Sequence, residues 1–241
     1  MTPEQIAERE RQLRGSGWRR RMLSVPGQML ANTPVYTLTR EMLMQADHRV
    51  LEIGCAEGSR LLLFDQKLRF QHAPVAGVEP SPVLARRAAR AFRNAARPLS
   101  AVLADPVALP FADGVFDVAF CDDLLRFLDV RGAQSVLREA ARVLRPGALL
   151  LAWELAPPAG RFRWWQRFWL RAYGGRIASE TSLMSLAERS GFDYTRPADL
   201  RPFFWPPVPR ASFIASVLPP GWRREGDNIF PPDDPVAETP P

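Results

Sequence analysis

The sequence predicts an α/β fold, a doubly wound and mostly parallel sheet, from three observations. At Arg49-Val50-Leu51-Glu52-Ile53-Gly54-Cys55-Ala56-Glu57-Gly58 a short apolar run carrying an acid breaks into small residues, and a helical pattern starts at Ser59. Ala73 to Glu79 is a second apolar run, ending in an acid and leading into a capped helix. From there to Leu155, short apolar runs keep alternating with amphipathic helices. Strand, tight turn and helix repeated in this way build parallel βαβ units, whose ligands lie at the strands' C-terminal ends.

The first turn organises the rest. It reads Glu52-x-Gly54-x-Ala56-x-Gly58, and residues without bulk let a ligand reach the backbone. A dinucleotide site needs G-x-G-x-x-G, with the pyrophosphate on the helix N-terminus. The spacing here differs. Ala56 adds one methyl group, which the turn accommodates if φ stays negative at that position.

Composition narrows the function classes. At 241 residues the chain holds one domain with additions, and 46% hydrophobic residues supply a sizeable core. A net charge of +6 would suit nucleic acid or an anionic membrane. However, Lys67 is the sole lysine, and the arginines are scattered through helices beside Glu and Asp. That is compositional bias, and no nucleic-acid partner is expected. Two cysteines (Cys55, Cys121) and two histidines (His48, His72) exclude a disulfide framework and a Cys/His zinc cluster. No apolar run reaches membrane-span length and the N-terminus lacks a signal peptide's apolar core, so a cytoplasmic location is expected.

Residues 1–48 read as an N-terminal helical segment, 49–218 as the ligand-binding domain, and 219–241 as a disordered Pro- and Asp-rich tail. Residues 2–14 are polar, anchored only by Ile6 and Leu13, and predict a frayed or surface helix. Gly15-Ser16-Gly17 breaks it before the solvated run Trp18-Arg19-Arg20-Arg21. Val35, Leu38, Met42 and Leu43 set a helix over 34–46, with Thr33 as N-cap and Pro34 first in the helix. Ser59 to Phe70 is amphipathic. Pro80-Ser81-Pro82 makes Ser81 the N-cap of a helix running to about Ala95. Leu99 to Ala104, Val118 to Cys121 and Ala148 to Leu155 read as strands, and Gln134 to Leu144 as a helix.

Four stretches, in order, resemble class I S-adenosylmethionine (SAM)-dependent methyltransferases. The turn is similar to acidic-x-Gly-x-Gly-x-Gly, with Ala56 for the middle glycine. Glu79 is the acid that ends the second strand. Asp105 to Asp117 resembles D-x-x-x-L-P-F-x-D-x-x-F-D, and Arg142-Val143-Leu144-Arg145-Pro146-Gly147 resembles R-V-L-K-P-G. Together they cover roughly residues 49–155, most like the subgroup acting on small molecules, quinones and lipids. The resemblance implies a Rossmann-like, seven-stranded, mostly parallel sheet with a C-terminal antiparallel hairpin and an N-terminal helical lid, where Met29 and Tyr36 are candidates. It implies SAM as cofactor, held by Glu52, Gly54, Cys55, Ala56 and Gly58 in the turn. Glu79 and Pro80 would meet the ribose, Asp105 and Pro106 the adenine, and Cys121 would lie at the end of the fourth strand. Pro106 has no N–H, so one adenine contact is missing.

Beyond this core, Arg163, Arg167 and Arg171 recur every four residues within 161–173, flanked by aromatics. The segment reads as a wall of the substrate cleft, as a packed helix with snorkelling arginines, or as a peripheral membrane contact. Glu180 to Ser190 is a helix between Ser179 as N-cap and Gly191 as C-cap. Phe192-Asp193-Tyr194 and Ala211 to Leu218 begin and end a closing hairpin, whose loop is lengthened by Pro202 to Pro209.

Methyl transfer from a sulfonium is a direct displacement that rests on orientation, so no catalytic dyad is required. Asp122 and Asp123, after the fourth strand, are the candidate catalytic acids. Either would bind the cofactor's ammonium or act as general base; a helix N-cap is the plainer role for them, and small buried thiols for the cysteines. Glu154 is a further acid at the end of the fifth strand. Phe127 stands where the family often has His, which argues against histidine catalysis. The absence of an Asn-Pro-Pro-Tyr-type motif argues against methylation of DNA bases or protein glutamine. The expected function is methyl transfer to a small-molecule or lipid-like acceptor. The alternative is a catalytically silent binding module on the same fold, supported by Ala56 and Pro106. A nicotinamide dehydrogenase is disfavoured by the glycine spacing and by the lack of a Tyr/Lys or His proton-transfer set.

Overall fold

Short, wholly apolar strands set the architecture. The structure, a computed structural model, describes residues 1–13, 47–68, 74–93, 95, 99–173, 176–198, 210–225 and 228–230. Helix α1 spans Pro3–Leu13, β1 Val50–Ile53, α2 Ser59–Leu68, β2 Val75–Glu79, α3 Pro82–Phe92 and β3 Leu99–Leu103. Then come β4 Phe116–Asp122, α4 Val130–Val143, β5 Leu144–Leu155, α5 Arg163–Tyr173, α6 Glu180–Glu188, β6 Tyr194–Pro197 and β7 Arg210–Ser216. The main sheet runs β3-β2-β1-β4-β5-β7-β6. Strands β1 to β5 pair in parallel, and β7 lies antiparallel to both neighbours. This is the seven-stranded, doubly wound sheet with a closing antiparallel hairpin that the sequence predicts.

Every residue of β1, β2 and β4 is buried, as strands covered on both faces must be. On one face, Phe64 of α2 and Ala88 and Phe92 of α3 pack with Val50, Phe120 and Trp153. On the other, Val136 and Leu137 of α4 and Leu186 of α6 pack with Leu51, Ile53 and Leu150. Gly58, at φ +76°, faces the Phe92 ring so closely that a Cβ would stand 2.4 Å from it. That glycine lets α2 and α3 approach.

Helix ends follow their caps. The Ser81 hydroxyl accepts from Leu84 N at 3.1 Å with Pro82 at the first helical position, and Ser179 accepts from Ser182 N. Helix α4 begins at Val130, ahead of the expected Gln134, because Asp129 caps it by accepting from Gly132 N at 2.7 Å. Neither Asp122 nor Asp123 is the cap.

Two other expectations change. Of the frayed or surface helix expected over 2–14, α1 is the surface form and is not frayed: it is docked through Arg9, only 1% exposed. Within the expected disordered tail, Arg223–Glu225 (β8) and Asn228–Phe230 (β9) pair antiparallel, and Arg224 stacks on Tyr194 and bonds Glu188. The expected helix over 34–46, Thr33, Met29, Tyr36 and the Pro202 to Pro209 insert lie outside the described residues.

Asp117 ties the entrance of β1 to β4 and β5. Its Oδ2 accepts from Arg49 N at 2.7 Å and Arg49 Nε at 3.1 Å, and Arg145 Nε lies 2.6 Å from Oδ1. Burial pushes this carboxyl up, but the Arg49 bonds and the Arg145 charge prevail and hold it below the ordinary carboxylate value of 3.8. Its contribution is therefore complete above that value and lost as pH falls through the depressed one. Asp117→Asn should lower unfolding stability by about 1–3 kcal/mol at pH 7, with the two denaturation curves converging as pH falls below the ordinary carboxylate range.

Candidate cofactor and active site

The turn after β1 sits where strand order reverses, since β1 pairs with β2 on one side and β4 on the other, Ile53 opposite Cys121. Such a switch point opens a crevice at the strands' C-terminal ends. Gly54 N and Cys55 N both donate to Val78 O, at 2.8 and 2.9 Å, and Gly58 N donates to Cys55 O. Gly54 takes φ +82°. Ala56 does not keep a negative φ, as the sequence reading required: it lies at +51°, left-handed, at a cost of about 1–2 kcal/mol. What holds it there is Glu79, whose Oε2 accepts from Ala56 N at 2.8 Å.

Glu79 is fully buried at the end of β2, beside the buried Pro80. Its Oε1 accepts from Ser81 N at 3.1 Å, and its Oε2 also faces Arg9 Nη2 at 3.2 Å. Arg9 donates further to Gly54 O and Asp123 O, both at 2.8 Å, and its guanidinium lies over the Phe127 ring. A Cβ on Gly54 would stand 3.2 Å from Arg9 Nη2. Helix α1 thus fills the space over the turn. It is fastened further by Glu10 to the Ser81 hydroxyl and by Gln12 to Arg126 at 2.8 Å. Asp105, after β3, pairs with the Met1 amine, and its Oδ1 accepts from Val107 N at 3.1 Å. Pro106, which offers no N–H, is buried at this turn.

The candidate acids are not free. Arg60, in the first turn of α2, donates to Glu52 Oε1 at 2.8 Å, pairs with Asp122, and lies over the Trp153 ring at 4.8 Å. Asp122 also faces Arg210 at 3.7 Å. Burial raises Glu52 to about 8 against the pull of Arg60, and raises Asp122 to about 6. Asp123, strained at φ +49°, pairs with Arg126 at 3.2 Å. Burial pushes its carboxyl up, but the Arg126 and Arg210 charges outweigh this and leave it low. Cys55 and Cys121 are buried free thiols, and burial drives both well up, away from thiolate. Sequence reasoning missed Arg9 and Arg60. Arg60 had a signal, a cation at a helix N-terminus where the macrodipole disfavours it. Arg9 had none, being one charge in a run of charges.

Residues 50–147 match the methyltransferase domain family. A ubiquinone/menaquinone biosynthesis C-methyltransferase of Roseobacter denitrificans is 31% identical over 51% of this chain and 50% of its own length. A demethylmenaquinone methyltransferase of Thermus thermophilus is 37% identical over 48% of this chain and 51% of its own. The chain spans about half the length of these two relatives. A SAM-dependent methyltransferase structure from Aquifex aeolicus shares the fold, with TM-score 0.64 and 15% identity over 85% of this chain and all of that one.

This domain class takes SAM, and the residues present fit it in chemistry. The site gathers a glycine turn at the switch point, a buried carboxylate at the end of β2 and an acid after β3. The guanidinium of Arg9 donates to Glu79, so α1 already engages this acceptor.

Glu52 gives the site a pH signature. A carboxyl raised from 4.5 to about 8 on folding binds a proton that the unfolded chain releases, so it lowers stability progressively as pH rises through that window. Glu52→Gln keeps an acceptor for Arg60 and removes the titration. Urea unfolding should show the variant gaining about 2–4 kcal/mol on wild type between pH 5 and 8.

Proposed function

We propose that the chain transfers a methyl group from SAM to a small-molecule or lipid-like acceptor by direct displacement. The observation that carries this reading is the buried Glu79 carboxylate braced against the glycine turn at the β1/β4 switch point. The quinone-methylating activities named for the relatives support the acceptor class. In this reading Gly54, Cys55, Ala56 and Gly58 admit the cofactor to the backbone. Glu79 and Pro80 flank its ribose, Asp105 and Pro106 its adenine, and Glu52 and Cys121 line the floor. When bound, SAM supplies an electrophilic methyl group on a sulfonium. Asp122 and Asp123 hold negative charge near it, engaged by Arg60 and Arg126, and act on orientation rather than as free bases.

Because Arg9 occupies the sugar acid, cofactor entry requires α1 to leave, and apparent affinity falls by the fraction of molecules with α1 docked. Calorimetry with SAM tests both points. Glu79→Ala should weaken binding about 100-fold or more, whereas Arg9→Ala should tighten it about tenfold. The same Arg9 contact, with Ala56 and Pro106, favours a second reading, a silent binding module. Absence of SAM binding in both wild type and Arg9→Ala would select it.

The exposed face of α5 supports peripheral membrane contact. Arg163, Arg167 and Arg171 are all exposed, and Trp164 and Phe168 beside them are 69% and 61% exposed, while Leu170 turns inward. No helix among the described residues is long and apolar enough to cross a membrane. Cations with aromatics on one face of a helix suit an anionic lipid interface. Wild type should co-sediment with phosphatidylserine-containing vesicles, and changing the three arginines to Glu should reduce the bound fraction about tenfold or more.

A further inference from the structure

A cavity of about 340 Å³ opens between the segment after β4, the start of α4 and helix α6. It contains none of the cofactor-cleft residues Gly54, Glu79 or Asp105. Leu125, Leu128, Ala133, Leu183 and Leu186 give it an apolar body, and Glu154 contributes to its floor. Its rim carries Arg176 and Arg189, both exposed and without a carboxylate partner among the described residues. Asp129, also at the rim, already accepts from Gly132 N. The rim therefore carries a net positive charge, two arginines against one aspartate.

Glu154 is the unusual member. It is 1% exposed; its Oε1 accepts from Leu124 N at 3.0 Å and Leu125 N at 2.7 Å, and its Oε2 has no partner. A buried oxygen left unpaired is unfavourable, and a ligand donor relieves it. Burial, with the Asp123 charge next, raises this carboxyl to about 8, so near neutral pH it both donates and accepts. The same two amides connect cavity and cofactor turn. A Cβ at Gly54 would lie 3.1 Å from Leu124 Cβ, while Leu125 lines the cavity. A single stretch of backbone, held by Glu154, borders both.

We propose that this cavity is the acceptor site and takes a small hydroxylated ring acid, its ring on the leucines, its hydroxyl on Glu154 and its carboxylate at the arginine rim. The volume limits the occupant to one or two rings. The word acceptor rests on the methyl-transfer reading; binding does not.

The test uses the full chain and 4-hydroxyphenylacetate as probe, with phenylacetate and 4-cresol as truncated forms, followed by calorimetry or saturation-transfer NMR. Saturable binding of the probe is expected. Removing either polar group from it should weaken binding about tenfold, as should Arg176→Glu or Arg189→Glu, exposed changes that leave the core untouched. Glu154→Gln should narrow the preference for the probe over phenylacetate. Intact SAM binding with no saturable probe binding up to about 10 mM overturns the cavity proposal alone, as does binding indifferent to both arginine changes. Probe binding without SAM binding overturns the acceptor role and, with it, the methyl-transfer reading.

Discussion

Buried carboxylates at one edge of the sheet are the constraint to which the rest of the structure answers. Parallel strands all end on the same side, so Glu52, Glu79, Asp122, Asp123 and Glu154, each at most 8% exposed, converge on the C-terminal edges of β1, β2, β4 and β5. Uncompensated charge in such a place is costly. The chain answers with guanidiniums drawn from distant segments: Arg9 on Glu79, Arg60 between Glu52 and Asp122, and Arg126 on Asp123. Burial raises Glu52 and Glu154 to about 8, and the other three carboxylates are each met by a guanidinium, so the edge is balanced only while these arginines stay in place.

Helix α1 therefore has two faces to its energetics. Its docking satisfies Glu79, Gly54 O and Asp123 O with one side chain. On the proposed function a cofactor sugar would take the place of Arg9 at Glu79, which keeps the Ala56 and Ser81 amides as donors in either state. That equivalence permits exchange, because displacing a buried arginine without replacing it would strand a charge. The left-handed Ala56 belongs to the same balance, since its N–H is held by the Glu79 oxygen that Arg9 also engages.

Much of the fold was legible because its signals are local. Apolar strands bounded by Gly and Pro, Ser81 and Ser179 as caps, and the acid-ended second strand each depend on a few neighbouring residues, and each took its expected place. The start of α4 was misread because apolar periodicity begins after the helix does; the cap, Asp129, lies before an unpatterned first turn. The β8–β9 pair was missed for a related reason, being three residues per strand in a Pro-rich, polar context. In the candidate site the acids were visible as strand ends, but their counter-ions were not, because ion pairs such as Arg9–Glu79 join residues seventy positions apart.

By itself the sequence determined the order of strands and helices, the small-residue turn, and which acids stand at strand ends, because backbone propensity and periodicity act over a few residues. Only the tertiary structure decided that Ala56 is left-handed, that α1 lies over the turn, that Arg60 serves two acids, and that Glu154 keeps an unpaired oxygen beside a cavity. The physical reason is common to all four: burial removes water as a partner, and which group replaces it depends on what the fold brings within about 3 Å, not on what is adjacent along the chain.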